Sequence, residues 1–224
     1  MEFQFLANNL AMTLDLFSEE SPWTEELCEG VWLHHHRALA QQDAICESLA
    51  EVTSQAPFRH MTTPGGHSMS VAMTNCGPLG WVTDRRGYRY TTHDPESGKP
   101  WPDMPEIFHR LAQQTAAESG FENFSPDACL INRYEIGAKM GLHQDKDEQT
   151  FDHPIVSVSL GLPAVFQLGG WERSEKVQRV PLQHGDVLVW GGPSRLRYHG
   201  ILPIKAGSHP LGRFRVNLTL RRAR

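Results

Sequence analysis

The segment RVNLTLR at residues 215–221 decides the fold, because its side chains alternate strictly between polar and apolar. In a β-strand this alternation places the two classes on opposite faces. The polar face holds Arg215, Asn217, Thr219 and Arg221, and the apolar face holds Val216, Leu218 and Leu220. Such a strand either lies at the surface with its polar face in water, or lines a cavity for a small dicarboxylate, because arginine binds carboxylates through paired charge-assisted hydrogen bonds.

Five further segments upstream share this period of two and are rich in valine, leucine and aromatic residues. They are CLINRY (129–134), IVSVSL (155–160), AVFQL (164–168), VQRVPL (177–182) and DVLVW (186–190). Turns rich in glycine, proline or charged residues separate them. Several short strands at this spacing are typical of a sandwich or jelly roll.

Two segments before these strands have helical periodicity. In residues 41–55, Ile45, Leu49 and Val52 recur at i, i+4 and i+7. A second apolar face lies between Pro105 and Gly120 and consists of Ile107, Phe108, Leu111 and Thr115. We therefore predict an α+β fold whose helices pack on one face of a β-rich C-terminal half.

Composition and charge narrow the function classes. The chain has 224 residues, of which 39% are hydrophobic and 21% charged, with a net charge of −5. No apolar run approaches the ~20 residues of a membrane-spanning helix. The acidic balance argues against binding a polyanion with the whole surface but allows a local basic groove, and residues 205–224 hold six cations and no acid.

The N-terminal residues predict no targeting segment. The first thirty residues contain seven acids and no lysine or arginine, unlike a secretory signal or a transit peptide. We expect a cytoplasmic protein whose first thirty residues form a loosely held arm, with Met12 as an alternative start to Met1. The four cysteines (Cys28, Cys46, Cys76 and Cys129) form no C-x-x-C pair, so we expect them to be reduced and mostly buried.

Residues 58–94 fit neither period. Five glycines stand there among methionines and aromatic residues, and Arg85, Arg86 and Arg89 are interleaved with them. A long irregular segment of this kind is either a lid or binding loop, or an ordinary surface excursion of hairpins.

One spacing of histidine and aspartate suits a metal ion. Two histidines and one carboxylate on one face of the ion bind mononuclear iron that activates oxygen. His143-Gln144-Asp145 on a strand would point two ligands the same way, and His199 would supply the third from a neighbouring strand. A solvated polar loop is the alternative. A second copy, His184-Gly185-Asp186, is interpreted as a hairpin turn.

Five segments together resemble the AlkB family of iron(II)- and 2-oxoglutarate-dependent nucleic-acid dealkylases. They are LINRYEIGAKMGLHQDKDE (130–148), IVSVSLGLPAVFQLGG (155–170), HGDVLVWGG (184–192), SRLRYHGI (194–201) and RVNLTLRR (215–222). TPGGHSMSVAMTNCG (63–77), followed by Trp81 and Tyr88, is similar to the family's substrate lid. The chain departs from the family pattern at His67 and in a shorter turn between His209 and Arg215.

The resemblance implies a double-stranded β-helix (jelly roll) with N-terminal helices and a nucleotide-recognition lid. We expect residues 1–13 to be an N-terminal extension and residues 14–224 to form one dioxygenase domain. Within it, the lid would cover about residues 58–94 and the catalytic core about residues 128–222.

The resemblance also implies the site residues. His143, Asp145 and His199 would bind the iron and form the catalytic centre. Asn132 and Tyr134 (N-x-Y), together with Arg215, Asn217 and Arg221 (R-x5-R), would bind 2-oxoglutarate. The expected nucleotide contacts are Met69, Trp81, Tyr88, Arg89, Tyr90, Asp147, Glu148 and Arg173.

The implied activity is oxidative removal of alkyl groups from 1-methyladenine and 3-methylcytosine in single-stranded DNA and also RNA, a direct reversal of damage. Iron(II), 2-oxoglutarate and O2 would yield succinate, carbon dioxide and formaldehyde. The cationic bases suit Trp81, Tyr88 and Asp147. Arg85, Arg86, Arg89 and Arg173 would contact phosphates.

We expect a monomer with no obligate protein partner and no membrane contact. Three other interpretations stay open at this point. They are a non-catalytic jelly-roll or cupin-like binding module, an oxygenase of the same chemistry acting on protein or a small molecule, and a zinc hydrolase.

Overall fold

The structure, a computed structural model, describes residues 21–224, and these form strands β1–β14 and helices α1 and α2. The strands before α2 are β1 (Trp23–Cys28), β2 (Val31–His35), β3 (Arg59–Thr62), β4 (Ser68–Cys76), β5 (Gly80–Asp84) and β6 (Gly87–Thr91). Those after it are β7 (Ala128–Glu135), β8 (Met140–His143), β9 (Ile155–Gly161), β10 (Ala164–Leu168), β11 (Gln178–Leu182), β12 (Val187–Trp190), β13 (His199–Ile201) and β14 (Phe214–Arg221). The helices are α1 (Gln42–Gln55) and α2 (Glu106–Glu118). The expected extension 1–13, Met1 and Met12 lie outside the described residues.

Strand β14 lies near the centre of a large eight-stranded sheet, with the order β1-β2-β12-β9-β14-β7-β4-β3. A smaller sheet has the order β11-β10-β13-β8, and β5 and β6 form a separate hairpin. All strand pairs are antiparallel. Two facing antiparallel sheets connected in this way form the predicted double-stranded β-helix.

The large sheet carries apolar residues on both faces and separates two cores. On its inner face Leu33, Leu130 and Leu188 join a cluster with Phe166 and Ile201 of the small sheet. On its outer face, alternate residues of the same strands join a second cluster with the two helices. The outer cluster includes Ile45 and Val52 of α1, Phe108 and Leu111 of α2, and Val158, Val216 and Leu218 of the sheet.

Both predicted helices are confirmed, and their boundaries have local causes. Pro105 precedes the first residue of α2, where a missing backbone N–H costs nothing, and Glu106 lies in the first turn, where its charge suits the helix dipole. Gly120, at a φ of +83°, follows the end of α2 and allows the chain to reverse. No helix within residues 21–224 is long and apolar enough to cross a membrane.

Regular structure extends further towards the N-terminus than the sequence predicted. Residues 23–28, expected to be part of a loose arm, form β1 at the edge of the large sheet, where they pair with β2. Residues 58–94, which fit neither period, form β3–β6. β4 pairs with β7, so the large sheet begins well before residue 128. The short strands β8 and β13 show no period of their own; His143 and His199 lie on neighbouring strands as the metal-site hypothesis required, but Asp145 lies beyond the end of β8.

The turn at His184-Gly185-Asp186 is confirmed, but it joins the two sheets and does not close a hairpin. It connects β11 of the small sheet to β12 of the large sheet. Gly185 has a φ of +85°, and the Asp186 carboxylate accepts the backbone N–H of Gln183 at 2.7 Å and that of His36 at 3.0 Å. The four cysteines are free; Cys76 and Cys129 are buried, and Cys28 and Cys46 are half-buried.

Candidate metal centre and cosubstrate cavity

Three metal-ligating side chains converge at one end of the small sheet. The ligand atoms of His143, Asp145 and His199 all lie within 4.8 Å of one another. His143 ends β8 and lies directly opposite His199, the first residue of β13. Asp145 follows in the loop after β8. The second H-x-D copy belongs to no such group within residues 21–224.

Backbone carbonyls orient both imidazoles. The Nδ1 of His143 lies 2.9 Å from the carbonyl oxygen of Gly141, and the Nδ1 of His199 lies 3.0 Å from that of Arg197. A carbonyl only accepts, so Nδ1 carries the proton and each Nε2 keeps its lone pair. Both Nε2 atoms lie 3.6 Å from Asp145, each from a different carboxylate oxygen. Three donor atoms therefore face one point.

Burial and charge act against each other at these groups. Burial alone would raise the pKa of Asp145, but Arg221, His143 and His199 hold that pKa well below its usual value. Burial lowers the pKa of His199, and the neighbouring His143 lowers it further. Burial also opposes the charged form of His143, but Asp145 and the Gly141 carbonyl together outweigh it and raise the pKa of His143. An ionised carboxylate beside a neutral imidazole suits a divalent cation.

Arg221 is paired with this carboxylate from the end of β14. Its Nη2 and Nε donate to the same oxygen of Asp145, at 2.7 and 3.1 Å. Its Nε also lies 3.6 Å from Glu148 Oε1, and its Nη1 lies 3.5 Å from the hydroxyl of Tyr90. Arg221 was predicted to bind 2-oxoglutarate, and the structure places it in an ion pair with the metal-ligating group.

A cavity of about 320 Å³ opens beside the three donor groups. The polar face of β14 lines it, which decides between the two interpretations of that strand: the face is buried and does not lie in water. Arg215 lies opposite Tyr134, and Asn217 lies opposite Asn132, across the β14–β7 pair. All four residues line the cavity.

Arg215 is a buried cation without an acidic partner among the described residues. Its Nη2 donates to the Ser159 hydroxyl at 3.1 Å, and its guanidinium lies 5.2 Å from the centroid of the Tyr134 ring. Its Nε and Nη1, like Oδ1 of Asn132, are buried without a hydrogen-bond partner. Burial lowers the pKa of Arg215, and Tyr134 opposes that effect. Unpaired buried donors are costly, so the cavity is suited to an anion with several oxygen atoms.

Aromatic rings stand at the mouth of the cavity. Trp81 of β5 and Tyr88 of β6 stack, with ring centroids 5.6 Å apart and an interplanar angle of 18°. The Trp81 Nε1–H donates to Asp147 at 2.8 Å. Met69 and Arg173 also line the cavity. These five residues were predicted as nucleotide contacts, and the structure brings them together.

The three remaining predicted nucleotide contacts lie outside the lining of this cavity. Arg89 donates to Asp84 at 3.0 and 2.7 Å. The Glu148 carboxylate is buried, accepts the Tyr90 hydroxyl at 2.7 Å and lies 3.2 Å from Arg195. This buried carboxylate also lies 3.6 Å from Arg221, so it helps to hold the guanidinium that pairs with Asp145. Arg89 and Tyr90 line a second cavity that Tyr88 and Asp147 also border, so contact of the three residues with a nucleotide stays a prediction.

Comparison with known proteins agrees with this geometry. The family model of the 2OG-Fe(II) oxygenase superfamily matches residues 31–221. The chain is 56% identical to the alpha-ketoglutarate-dependent dioxygenase AlkB of Salmonella typhimurium over 94% of this chain and 98% of that protein. The chain belongs to the AlkB family.

More distant AlkB relatives share parts of the chain or its fold. The human nucleic acid dioxygenase ALKBH1 is 34% identical over 55% of this chain and 31% of that protein. The solved structure of OsALKBH1 superposes with a TM-score of 0.78 at 29% identity, covering 89% of this chain and 100% of that chain.

The chain is thus a 2-oxoglutarate-dependent dioxygenase that requires iron(II), 2-oxoglutarate and O2. The donor set of two imidazoles and one carboxylate fits iron(II). The unpaired buried donors of Arg215 fit the distal carboxylate of 2-oxoglutarate. The side chains of this chain are thus sufficient to hold both the iron and the cosubstrate.

Sequence reasoning missed several residues around this AlkB-type site. Tyr198, Phe166 and Trp190 line the cavity, and the last two lie 5.8 and 5.0 Å from the ring of His199. Gln144, between two ligands, donates to the Leu196 carbonyl at 2.6 Å and so fixes the loop that carries Asp145. Of these, Tyr198 could have been predicted to line the cavity, because it directly precedes the metal-ligating His199 in the sequence.

Proposed function

We propose that this chain removes N-alkyl groups oxidatively from cationic bases, such as 1-methyladenine and 3-methylcytosine, in single-stranded DNA and RNA. The reaction is a direct reversal of alkylation damage. One observation carries the proposal: the stacked pair Trp81–Tyr88 and the carboxylate of Asp147 line the same cavity as the donor atoms of His143, Asp145 and His199.

The residues divide into metal ligands and cosubstrate ligands. His143, Asp145 and His199 would hold iron(II), and their imidazole protons are already directed to backbone carbonyls. Arg215 would bind the distal carboxylate of 2-oxoglutarate, with Asn132, Tyr134 and Asn217 beside it. Arg221 would face the end of 2-oxoglutarate nearest the metal while it holds Asp145. Iron(II), with 2-oxoglutarate and O2, supplies the oxidation that hydroxylates the N-alkyl carbon, and succinate, carbon dioxide and an aldehyde leave.

Base recognition depends on charge and stacking. A methylated ring that carries a positive charge is attracted to the face of an aromatic ring and to a carboxylate. Trp81 and Tyr88 supply the face, and Asp147 supplies the charge. The hydrogen bond from Trp81 to Asp147 fixes both groups in one orientation before a base arrives. Met69 adds an apolar contact at the cavity wall.

The geometry favours a single strand as substrate. The alkyl group of these lesions lies on the Watson–Crick edge, so the base must leave any duplex before it reaches the cavity. A single strand avoids most of that unpairing. The exposed Arg85 and the cavity-lining Arg173 would contact phosphates, whereas Arg86, although exposed, lies 3.2 Å from the carboxylate of Asp84.

We also propose that the protein acts as a monomer in the cytoplasm, without an obligate partner. One chain supplies the donor groups and every residue that lines the cavity, which supports a complete site in each molecule. Light scattering on the purified protein would test the monomer. A mass twice that of the chain would contradict it.

The decisive experiment incubates the protein with iron(II), 2-oxoglutarate, O2 and a single strand that carries one 3-methylcytosine. We expect equal amounts of succinate and formaldehyde and restoration of cytosine, measured by mass spectrometry. His143→Ala should abolish all three, and His184→Ala, at the other H-x-D copy, should retain them. Succinate without a repaired base would indicate another substrate, and no turnover at all would favour a binding module.

A further inference from the structure

Trp171 is an exposed indole that is nevertheless fixed in place. It is 55% exposed, yet its Nε1–H donates to the carbonyl of Pro193 at 3.1 Å. The guanidinium of Arg197 lies over its ring, 5.1 Å from the centroid. Arg197 is itself held, because its Nε donates to Gly169 at 2.6 Å and its Nη1 to the Cys28 sulfur at 3.0 Å. One edge and one face of the indole are occupied, which leaves the other face for solvent.

This indole lies beside the mouth of the cavity. Tyr198, which lines the cavity, makes backbone hydrogen bonds of 2.7 and 2.8 Å with the two glycines directly before Trp171. Arg173, two residues beyond Trp171, lies 5.3 Å from the centroid of the Tyr198 ring. The pair Arg197–Trp171 is therefore the neighbour of a second arginine–aromatic pair, Arg173–Tyr198, at the edge of the site.

We propose that Trp171 is a stacking platform for an unpaired base next to the nucleotide that enters the cavity. This rests on the proposed function and extends its binding site along the strand. Stacking on aromatic side chains is the common way in which proteins bind single strands regardless of sequence, because every base has a π-face. An indole already held on one side loses little conformational freedom when a base covers the other side.

The charges around Trp171 indicate that stacking, and not phosphate attraction, provides the affinity. Glu172 and Glu175 stand in the same loop as Arg173 and Lys176, so the formal charges of the loop cancel. Glu175 is exposed, and its carboxylate accepts the backbone N–H of Glu172 within the loop at 2.6 Å. Removing the indole should therefore weaken binding without changing the salt dependence of binding.

The chain offers a matched control at the far end of the β1–β2 hairpin. Trp23 is 52% exposed and stacks on His35 at 3.8 Å, so it resembles Trp171 in exposure and in having one face covered. It pairs with His35, whereas Cys28, at the other end of the hairpin, contacts Arg197. Trp23 thus lies about five strand residues, on the order of 16 Å, from the region of Trp171.

The experiment measures the affinity of iron-loaded protein for a nine-nucleotide single strand with a central 3-methylcytosine, by fluorescence anisotropy under anaerobic conditions. Trp171→Ala should bind about tenfold more weakly, Trp171→Tyr nearly as tightly as the unchanged protein, and Trp23→Ala equally tightly. Thermal unfolding of each variant shows whether the fold is intact.

A scan with one abasic site at each of the four positions flanking the lesion then identifies the stacked base. An abasic site at one of these positions should weaken binding to the unchanged protein about tenfold. The same abasic site should not weaken binding to Trp171→Ala any further. Equal affinity of Trp171→Ala for the intact strand, or the same loss for Trp23→Ala, overturns the platform. Formaldehyde release by the unchanged protein is measured separately, so a failure of the proposed dealkylation would be seen independently of this result.

Discussion

Arg221 donates two hydrogen bonds to one carboxylate oxygen of Asp145, at 2.7 and 3.1 Å, from the opposite sheet. The same guanidinium lies 3.6 Å from Glu148. Two buried acids therefore share one cation at the point where the donor atoms meet. Removing one member of a buried ion pair leaves a charge uncompensated, which costs more than the pair itself contributes.

Arg221→Gln should lower the free energy of unfolding of the metal-free protein by about 3 kcal/mol, measured with a chemical denaturant. Arg222→Gln is the matched control. Arg222 is the next residue in the chain, but its side chain is exposed and donates to the backbone carbonyl of Arg224. Equal unfolding midpoints for the two variants would show that Asp145 and Glu148 do not depend on Arg221.

Arg215→Gln should behave in the opposite way. Two of its guanidinium nitrogens have no hydrogen-bond partner among the described residues, so its loss should leave stability unchanged or slightly higher. The affinity for 2-oxoglutarate should fall about a hundredfold, because a charge-assisted pair of hydrogen bonds to the distal carboxylate is lost. Anaerobic calorimetric titration of the metal-loaded protein measures this. Unchanged affinity would place the dicarboxylate elsewhere.

Asp147→Asn should separate charge from hydrogen bonding at the cavity mouth. The amide oxygen can still accept the Trp81 Nε1–H, so the local geometry is kept. We expect kcat/KM for 3-methylcytosine, a cation, to fall about fivefold, as for a partly exposed charge pair. The value for a neutral base such as 3-methylthymine should stay within error, and an equal fall for both bases would contradict a role of charge.

Salt dependence distinguishes free arginines from paired ones. Arg173→Ala should reduce the slope of log K against log salt for a single strand by about 0.7, the effect of one phosphate contact. Arg89→Ala should leave the slope unchanged, because its guanidinium is paired with Asp84. The pairing also holds the pKa of Asp84 well below its usual value, so it persists across the neutral range. A larger change for Arg89→Ala would contradict the structure.

His34 makes the stability of the fold depend on pH. It is buried, with Ser119 at 2.8 Å and Thr24 at 3.0 Å, and burial lowers its pKa, although Glu118 acts in the opposite sense. The unfolded chain therefore binds the proton more readily, so stability should fall as pH decreases through about 6.5. His34→Gln removes this dependence.

The destabilisation caused by His34→Gln should accordingly be greatest near pH 8 and should shrink towards pH 5.5. Unfolding midpoints at both pH values measure it. His67→Gln, at an exposed residue, is the control and should leave the unfolding midpoint unchanged at both pH values. A cost of His34→Gln that grows on acidification would reverse the assigned direction.

The long elements of the fold could be predicted from the sequence because they carry enough residues to show a period. β14 has eight residues, and its alternation correctly separated Arg215 and Asn217 from Val216 and Leu218. β8 and β13 have four and three residues, which is too few for any period to appear. Periodicity therefore gave no sign of the strands that carry the two histidines, and only the H-x-D spacing with His199 placed both on neighbouring strands.

Pairings between distant residues could not be predicted from spacing. Arg221 matched a motif for binding a cosubstrate, but its contact with Asp145 depends on a loop 76 residues away that folds over the end of β14. Glu148 was expected, after Asp147, to supply a carboxylate that attracts the cationic base. The structure buries it, with Arg195, Arg221 and Tyr90 in contact with the carboxylate.

β14 contributes its apolar residues Val216, Leu218 and Leu220 to the core beneath the helices, and its polar residues to the cavity. A slip of one residue in its pairing would exchange the two sets at once. Leucines would then occupy the cosubstrate position, and arginines would press against α1 and α2. Misfolded chains of this kind would lack both stability and activity, so any quality-control system that detects loose packing would also remove the inactive molecules.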